Sequence, residues 1–182
     1  SFLLLICSLQ AMSKTPATTH VTSTNIGVHT EKLEDAKRSR PILVEIWYPT
    51  DRSGPLDQPE DPGWLHPKEI RDVPIAVGKY PLIMMSHGHG GDRRDRTWLV
   101  EYLVKNGYIV ASVEHYGNSW RSYNPLLSLR FWERARDVTF AISALLDGSF
   151  LKDRVDASRI GFVGYSMGGM TGLAAAARGE GQ

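Results

Sequence analysis

Three short apolar runs, Leu82-Ile-Met-Met85, Tyr108-Ile-Val-Ala-Ser-Val113 and Ile160-Gly-Phe-Val163, constrain the fold of this chain more than anything else in it. A strand with one face in water alternates apolar and polar residues, whereas a strand covered on both faces reads as a continuous apolar stretch. Segments with helical spacing separate the runs. Between the first and second, Asp92 is the expected N-cap, Trp98, Leu99, Tyr102 and Leu103 form a stripe, and Gly107 ends the helix. Between the second and third, Val138, Ala141, Ile142 and Leu145 recur at i, i+3, i+4 and i+7, and Gly148 closes the helix. Strand, helix and strand in alternation require right-handed crossovers, so the expected class is α/β, with a mostly parallel sheet and flanking helices.

Upstream, Val21 to Thr50 reads as two strands, over Thr22–Thr30 and Ile42–Tyr48, joined by a polar turn and expected at the sheet edge. Asp51–Lys79 holds five of the ten prolines, which predicts a long surface excursion with at most one short helical turn around Pro67–Arg71. With 182 residues, 42% of them apolar and 23% charged, the chain can bury one core and is not of disordered composition. A net charge of +1 offers no broad basic surface to nucleic acid. The cluster Asp92-Arg93-Arg94-Asp95-Arg96 alternates in sign and is expected to be a solvated helix start rather than a phosphate site.

The run Phe2–Leu9 is too short to span a bilayer and resembles the apolar region of a secretory signal, with Ala11 at the cleavage position. Residues 1–12 are therefore expected to be a signal-peptide remnant and 20–182 the domain proper. The mature chain would be secreted or periplasmic, otherwise cytoplasmic, and not stably inserted in a membrane. Its only cysteine, Cys7, lies in the removed segment, leaving neither disulfide nor thiol chemistry.

Gly164-Tyr165-Ser166-Met167-Gly168 is a GxSxG pattern, which places a serine nucleophile on a sharp strand-to-helix turn. Alone it is weak, arising by chance in roughly one chain in ten or twenty of this length. Here it follows a buried strand and precedes Gly169–Ala177, which ends strongly helical. The second element, Ser86-His87-Gly88-His89-Gly90-Gly91, also sits between a strand and a helix. Acyl transfer needs backbone N–H groups aimed at a developing oxyanion, and this loop and the residue after the nucleophile supply them: His89 and Met167 are the expected donors. Neither GxGxxG nor GxxxxGK[ST] occurs to support a nucleotide-binding loop.

With Val44-Glu-Ile-Trp-Tyr-Pro-Thr50, Pro81–Gly88, Ile109–His115 and Arg159–Gly169 taken together, the chain resembles the α/β-hydrolase superfamily over residues 25 to 177. Within it, the resemblance is to the branch of platelet-activating-factor acetylhydrolases and dienelactone-hydrolase-like esterases. Dienelactone hydrolases proper carry a cysteine nucleophile, so Ser166 favours the esterase-like members; cutinase-like polyester hydrolases share a similar SMGG elbow. The resemblance implies an acyl-enzyme on Ser166, a small acyl ester as substrate, and no metal or cofactor. It also implies a triad in the order Ser, Asp or Glu, His. The sixteen residues after Ser166 contain no aspartate and no histidine, and Glu180 stands too near the end to be followed by a base.

The chain is therefore expected to be the N-terminal part of such a domain, truncated after the nucleophile helix, inactive as it stands, with an exposed sheet edge where later strands belong. His87 and His89 belong to the oxyanion loop. His115, at a strand end, is expected to contact substrate and is the first upstream residue to test as a substitute base. His20, His29 and His66 are expected to be solvated or turn histidines, and the aromatic-rich Tyr116–Tyr123 either lines the acyl site or is an ordinary loop. The alternative is a non-catalytic α/β-hydrolase-fold binding or interaction protein that has lost its triad.

Overall fold

A computed structural model describes residues 5–8, 25–57, 67–148 and 150–179. Within these residues seven strands, β1 (Leu5–Ser8), β2 (Asn25–Asp35), β3 (Arg40–Thr50), β4 (Glu69–Arg71), β5 (Tyr80–Ser86), β6 (Ile109–Glu114) and β7 (Val155–Gly164), form one sheet in the order β1-β7-β5-β6-β3-β2-β4. Among the described residues four helices, α1 (Thr97–Lys105), α2 (Pro125–Ser128), α3 (Trp132–Asp147) and α4 (Met167–Gly179), accompany the sheet. The centre, β7-β5-β6, is parallel. To one side β6 pairs antiparallel with β3, which forms a continuous antiparallel ladder with β2 from Asn25↔Thr50 to Asp35↔Arg40.

Both faces of the parallel centre are covered, which is why its strands read as unbroken apolar runs. Successive side chains point to opposite faces. Leu82, Met84, Ile109, Ala111 and Val113 pack beneath Val138, Ala141 and Leu145 of α3. On the other face Met85 and Val110 pack with Val100 and Val104 of α1. Each fully buried side chain of this size contributes about 1.5–3 kcal/mol relative to an exposed one.

Four expectations need correction. β3 lies in the sheet interior, not at its edge, because β6 pairs along one side of it and β2 along the other. Pro67–Arg71 forms no helical turn: Glu69–Arg71 is an edge strand parallel to β2, anchored by buried Ile70 and by the Trp47 indole N–H donating to Glu69 at 2.6 Å. Asp92 caps a turn rather than a helix, accepting the Arg94 N–H at 2.8 Å, and α1 starts only at Thr97. Nor are the arginines of that turn solvated. Arg93 and Arg94 both pair with Glu45, at 2.9 and 2.6 Å, and reach on to Glu114 and Glu69 respectively. Glu45 and Glu69 are wholly buried, and carboxylates enclosed this way require a cationic partner.

The edge of β7 expected to be bare is paired over Gly161–Gly164 with β1, as a row of unsatisfied backbone groups invites. Apart from these residues, the expected signal segment lies outside the described residues, as do His20 and His66. His29 lies on β2, with Nδ1 2.7 Å from Asp72.

Candidate active site

The loops after β5, β6 and β7 emerge at the carboxyl ends of three adjacent parallel strands, where ligands bind in open α/β sheets. After β7 the chain turns through Tyr165 and Ser166 into α4. Ser166 is exposed and holds φ 52°, a left-handed conformation that non-glycine residues adopt rarely and usually under constraint. The constraint is visible. A Cβ added at Gly164 would overlap the carbonyl of Gly168, and one added at Gly168 would overlap the carbonyl of Ser86. Because that obstacle is backbone, a Gly168→Ala change must displace the helix or the loop, and should lower stability by about 1–3 kcal/mol in a urea melt. An unchanged midpoint would show that the close approach is not required.

The His-Gly loop lies against this turn. A Cβ placed on Gly88 would stand 3.1 Å from the Tyr165 ring and 3.6 Å from the Ser166 Cβ, and the Tyr165 N–H donates to the Ser86 carbonyl at 3.4 Å. Arg96 stacks over the Tyr165 ring at 4.4 Å. Met167 is the first residue of α4, so its N–H belongs to the helix-terminal donors that have no intrahelical acceptor. The exposed His89 ring meets Tyr123 edge-on at 5.6 Å and accepts from Asn118 Nδ2 at 3.2 Å. Tyr116, Trp120 and Tyr123 remain exposed on the loop after β6.

Beneath the loop the polar groups are enclosed. His87 donates from Nδ1 to the Gly88 carbonyl at 2.7 Å and accepts the His115 N–H on Nε2 at 3.2 Å, which fixes its neutral tautomer. Burial, helped by the charge of Arg134, pushes its pKa down to about 4. His115 is fully buried: Nε2 accepts the Ser86 hydroxyl at 2.8 Å and Nδ1 donates to Asp137 at 3.0 Å. Burial and Arg134 hold it, too, well below the ordinary histidine range. Burial raises the pKa of Asp137, but hydrogen bonds from His115 and Arg40 outweigh this and bring it to about 2.

The expected substrate contact at His115 is thus corrected, since both its ring nitrogens are engaged and none of it reaches the surface. With its Nε2 occupied by Ser86, it is not poised to take a proton from Ser166. Ser86, His115 and Asp137 have the connectivity of a catalytic triad, yet Ser86 is only 4% exposed.

A histidine kept neutral inside sets a pH dependence. Between its folded value of about 4 and its ordinary 6.5, the unfolded state of His87 binds more protons, so stability falls as pH falls through that window. At 1.36 kcal/mol per unit, His87 alone accounts for about 3 kcal/mol, and His115 acts with the same sign. Denaturant midpoints should therefore drop between pH 6.5 and pH 4, ahead of the Asp137 loss below pH 3.8. A flat profile would contradict the neutral assignment.

Arg134 and Asp137, central to this network, carried one signal in the sequence. The stripe Val138, Ala141, Leu145 continues one step toward the N-terminus at position 134, where an arginine stands on the core-facing side.

The sequence pattern of the family described as platelet-activating factor acetylhydrolase, isoform II, matches residues 71–124. A ferulic acid esterase from Streptomyces cinnamoneus superposes with a TM-score of 0.73 at 25% identity, covering 88% of this chain and 58% of that one. The chain belongs to the α/β-hydrolase superfamily. Among other relatives, platelet-activating factor acetylhydrolase of Bos taurus is 29% identical over 137 residues, covering 51% of this chain and 31% of that protein. The cutinase est1 of Thermobifida alba is 30% identical over 98 residues, covering 53% of this chain and 30% of that protein. The chain thus spans about a third of the length of these two relatives, which, like the ferulic acid esterase, are ester hydrolases. Among the described residues no helix is long and apolar enough to cross a membrane.

Proposed function

We propose that this chain carries the nucleophile half of a serine ester hydrolase. Ser166 gives up its proton to a base and attacks the carbonyl of an acyl ester, and the N–H groups of His89 and Met167 donate to the oxyanion of the tetrahedral intermediate. Collapse of that intermediate breaks the ester C–O bond and releases the protonated alcohol, and water then hydrolyses the acyl-serine to a carboxylic acid and free serine. The observation that carries this reading is the left-handed Ser166, exposed on a strand-to-helix turn with the His-Gly loop packed against it. Kinship with an acetylhydrolase, a cutinase and a ferulic acid esterase supports an ester as substrate.

The base and its orienting acid are proposed to come from sequence following Gln182, because residues 167–182 hold neither aspartate nor histidine and the matched stretches cover only 31% and 30% of the two relatives. The test is hydrolysis of a short-chain aryl ester by the protein extended through that sequence. Activity that depends on Ser166 supports the reading. Extended protein that binds esters without hydrolysing them would favour a non-catalytic binding role instead.

A further inference from the structure

One buried cation joins all three loops of the proposed site. Arg134, on α3 and 2% exposed, donates from Nη2 to the His87 carbonyl and, at 3.2 Å, to the Ser86 hydroxyl. Its Nη1 donates to Asn118 Oδ1 at 2.6 Å, and its Nε to Thr171 Oγ1 at 3.1 Å. Thr171 in turn donates to the carbonyl of Met167 at 2.9 Å, and Asn118 donates to His89 and to Ser128. The rigid planar fork of a guanidinium therefore touches the loop after β5, the loop after β6 and, at Thr171, the start of the second turn of α4 at once.

We propose that Arg134 is a positioning residue for acyl transfer, setting the spacing between the His89 and Met167 N–H groups. The inference rests on the esterase reading. In a trans peptide the C=O and N–H point in opposite directions, so drawing the His87 carbonyl inward to Arg134 turns the Gly88 N–H away from it and fixes the plane from which His89 follows. On the other side, Thr171 ties the same cation to the turn that begins with Met167.

Packing alone does not account for an arginine here. A buried cation costs several kcal/mol of desolvation, and apolar residues of similar volume in such sites are often neutral or stabilising. The neighbouring positions of the stripe, Val138, Ala141 and Leu145, are filled in that way. What an apolar residue lacks is the set of donors that Arg134 directs at Ser86, His87, Asn118 and Thr171. Lysine keeps the charge but not the fork.

Two measurements test this, one independent of activity. In the 182-residue chain, Arg134→Lys should speed hydrogen exchange of the amides at 88–91 and 117–119 by about tenfold or more, while the centres of β5 and β6 stay protected. Arg134→Met tests the same point with the charge removed, and unchanged exchange in these loops for a folded variant would overturn the proposal. In the extended esterase, Arg134→Lys should lower kcat by about a hundredfold with little change in KM, as expected for donors misplaced by about 1 Å. The affinity for a boronic acid that mimics the tetrahedral intermediate should fall in parallel, and guanidinium ion should restore part of the rate to Arg134→Gly.

A role confined to stability would lower the melting temperature and leave boronate affinity and the kcat-to-KM split unmoved, which overturns the inference. If the parent protein hydrolyses esters and Arg134→Lys retains its kcat, the inference alone fails. If the extended parent protein does not hydrolyse them, the esterase reading fails and takes the inference with it.

Discussion

In the protein extended past Gln182, Ser166→Ala should reduce ester turnover by about a million-fold, whereas the same change in the 182-residue chain should alter almost nothing. The contrast follows from how a serine triad works. The hydroxyl, its base and the acid that orients the base act as a unit, so removing the serine or the base costs nearly as much as removing all three. A residual acceleration of about a thousandfold over water remains from oxyanion donors and binding. In the short chain the sixteen residues after Ser166 include no aspartate and no histidine to lose, and its trace activity should already be at that residual level. Robust hydrolysis by the short chain would reveal a base within it. His115 would be the first to test, although its Nε2 is already taken by Ser86 at 2.8 Å.

The largest effect on stability is expected at Asp137. Its carboxylate accepts from Arg40 at 2.6 and 2.8 Å, from Arg38 at 3.0 Å and from His115 at 3.0 Å, with no exposure of its own. Asp137→Ala leaves the buried Arg40 guanidinium without its carboxylate and the His115 N–H without an acceptor, a situation that costs about 3–5 kcal/mol. Against a total stability of about 5–15 kcal/mol, this should move the urea midpoint by a large fraction of its value or prevent folding at 37 °C. Asp137→Asn keeps the volume and one acceptor, and should fall between the two. For contrast, Glu101 and Lys105 form an exposed pair on α1, where removing either partner should cost no more than about 0.5 kcal/mol. A loss below about 1 kcal/mol at Asp137 would show that the enclosed network is not holding the strand ends together.

What could be read from the sequence was local. The apolar runs of β5, β6 and β7 identify strands covered on both faces because burial acts on consecutive residues. The elbow around Ser166 is local at Gly164, which answers to the backbone of Gly168, whereas Gly168 answers to the carbonyl of Ser86. The interior position of β3 was hidden by Glu45, which gave the strand a half-solvated look. Its charge is met by Arg71, Arg93 and Arg94, which lie 26, 48 and 49 residues away in sequence. The same distance in sequence concealed the burial of Arg93 and Arg94 and made a solvated helix start the natural reading. His115 was misjudged for a related reason. A histidine at the end of a strand faces solvent by default, but α3 brings Asp137 and Arg134 over it. In each case an ionic partner far along the chain decided the outcome, and no periodicity reports such a partner.

The account stands on Ser166 being the nucleophile, and covalent labelling tests that most directly. The extended protein is treated with a fluorophosphonate, digested, and the modified peptide located by mass spectrometry. The account predicts a single adduct, on Ser166 in the peptide that spans Gly164–Gly168, lost in Ser166→Ala and formed at a rate that falls with hydrolysis when Arg134 is changed to lysine. An adduct on Ser86 or on any other residue, or undiminished ester hydrolysis by Ser166→Ala, would contradict it.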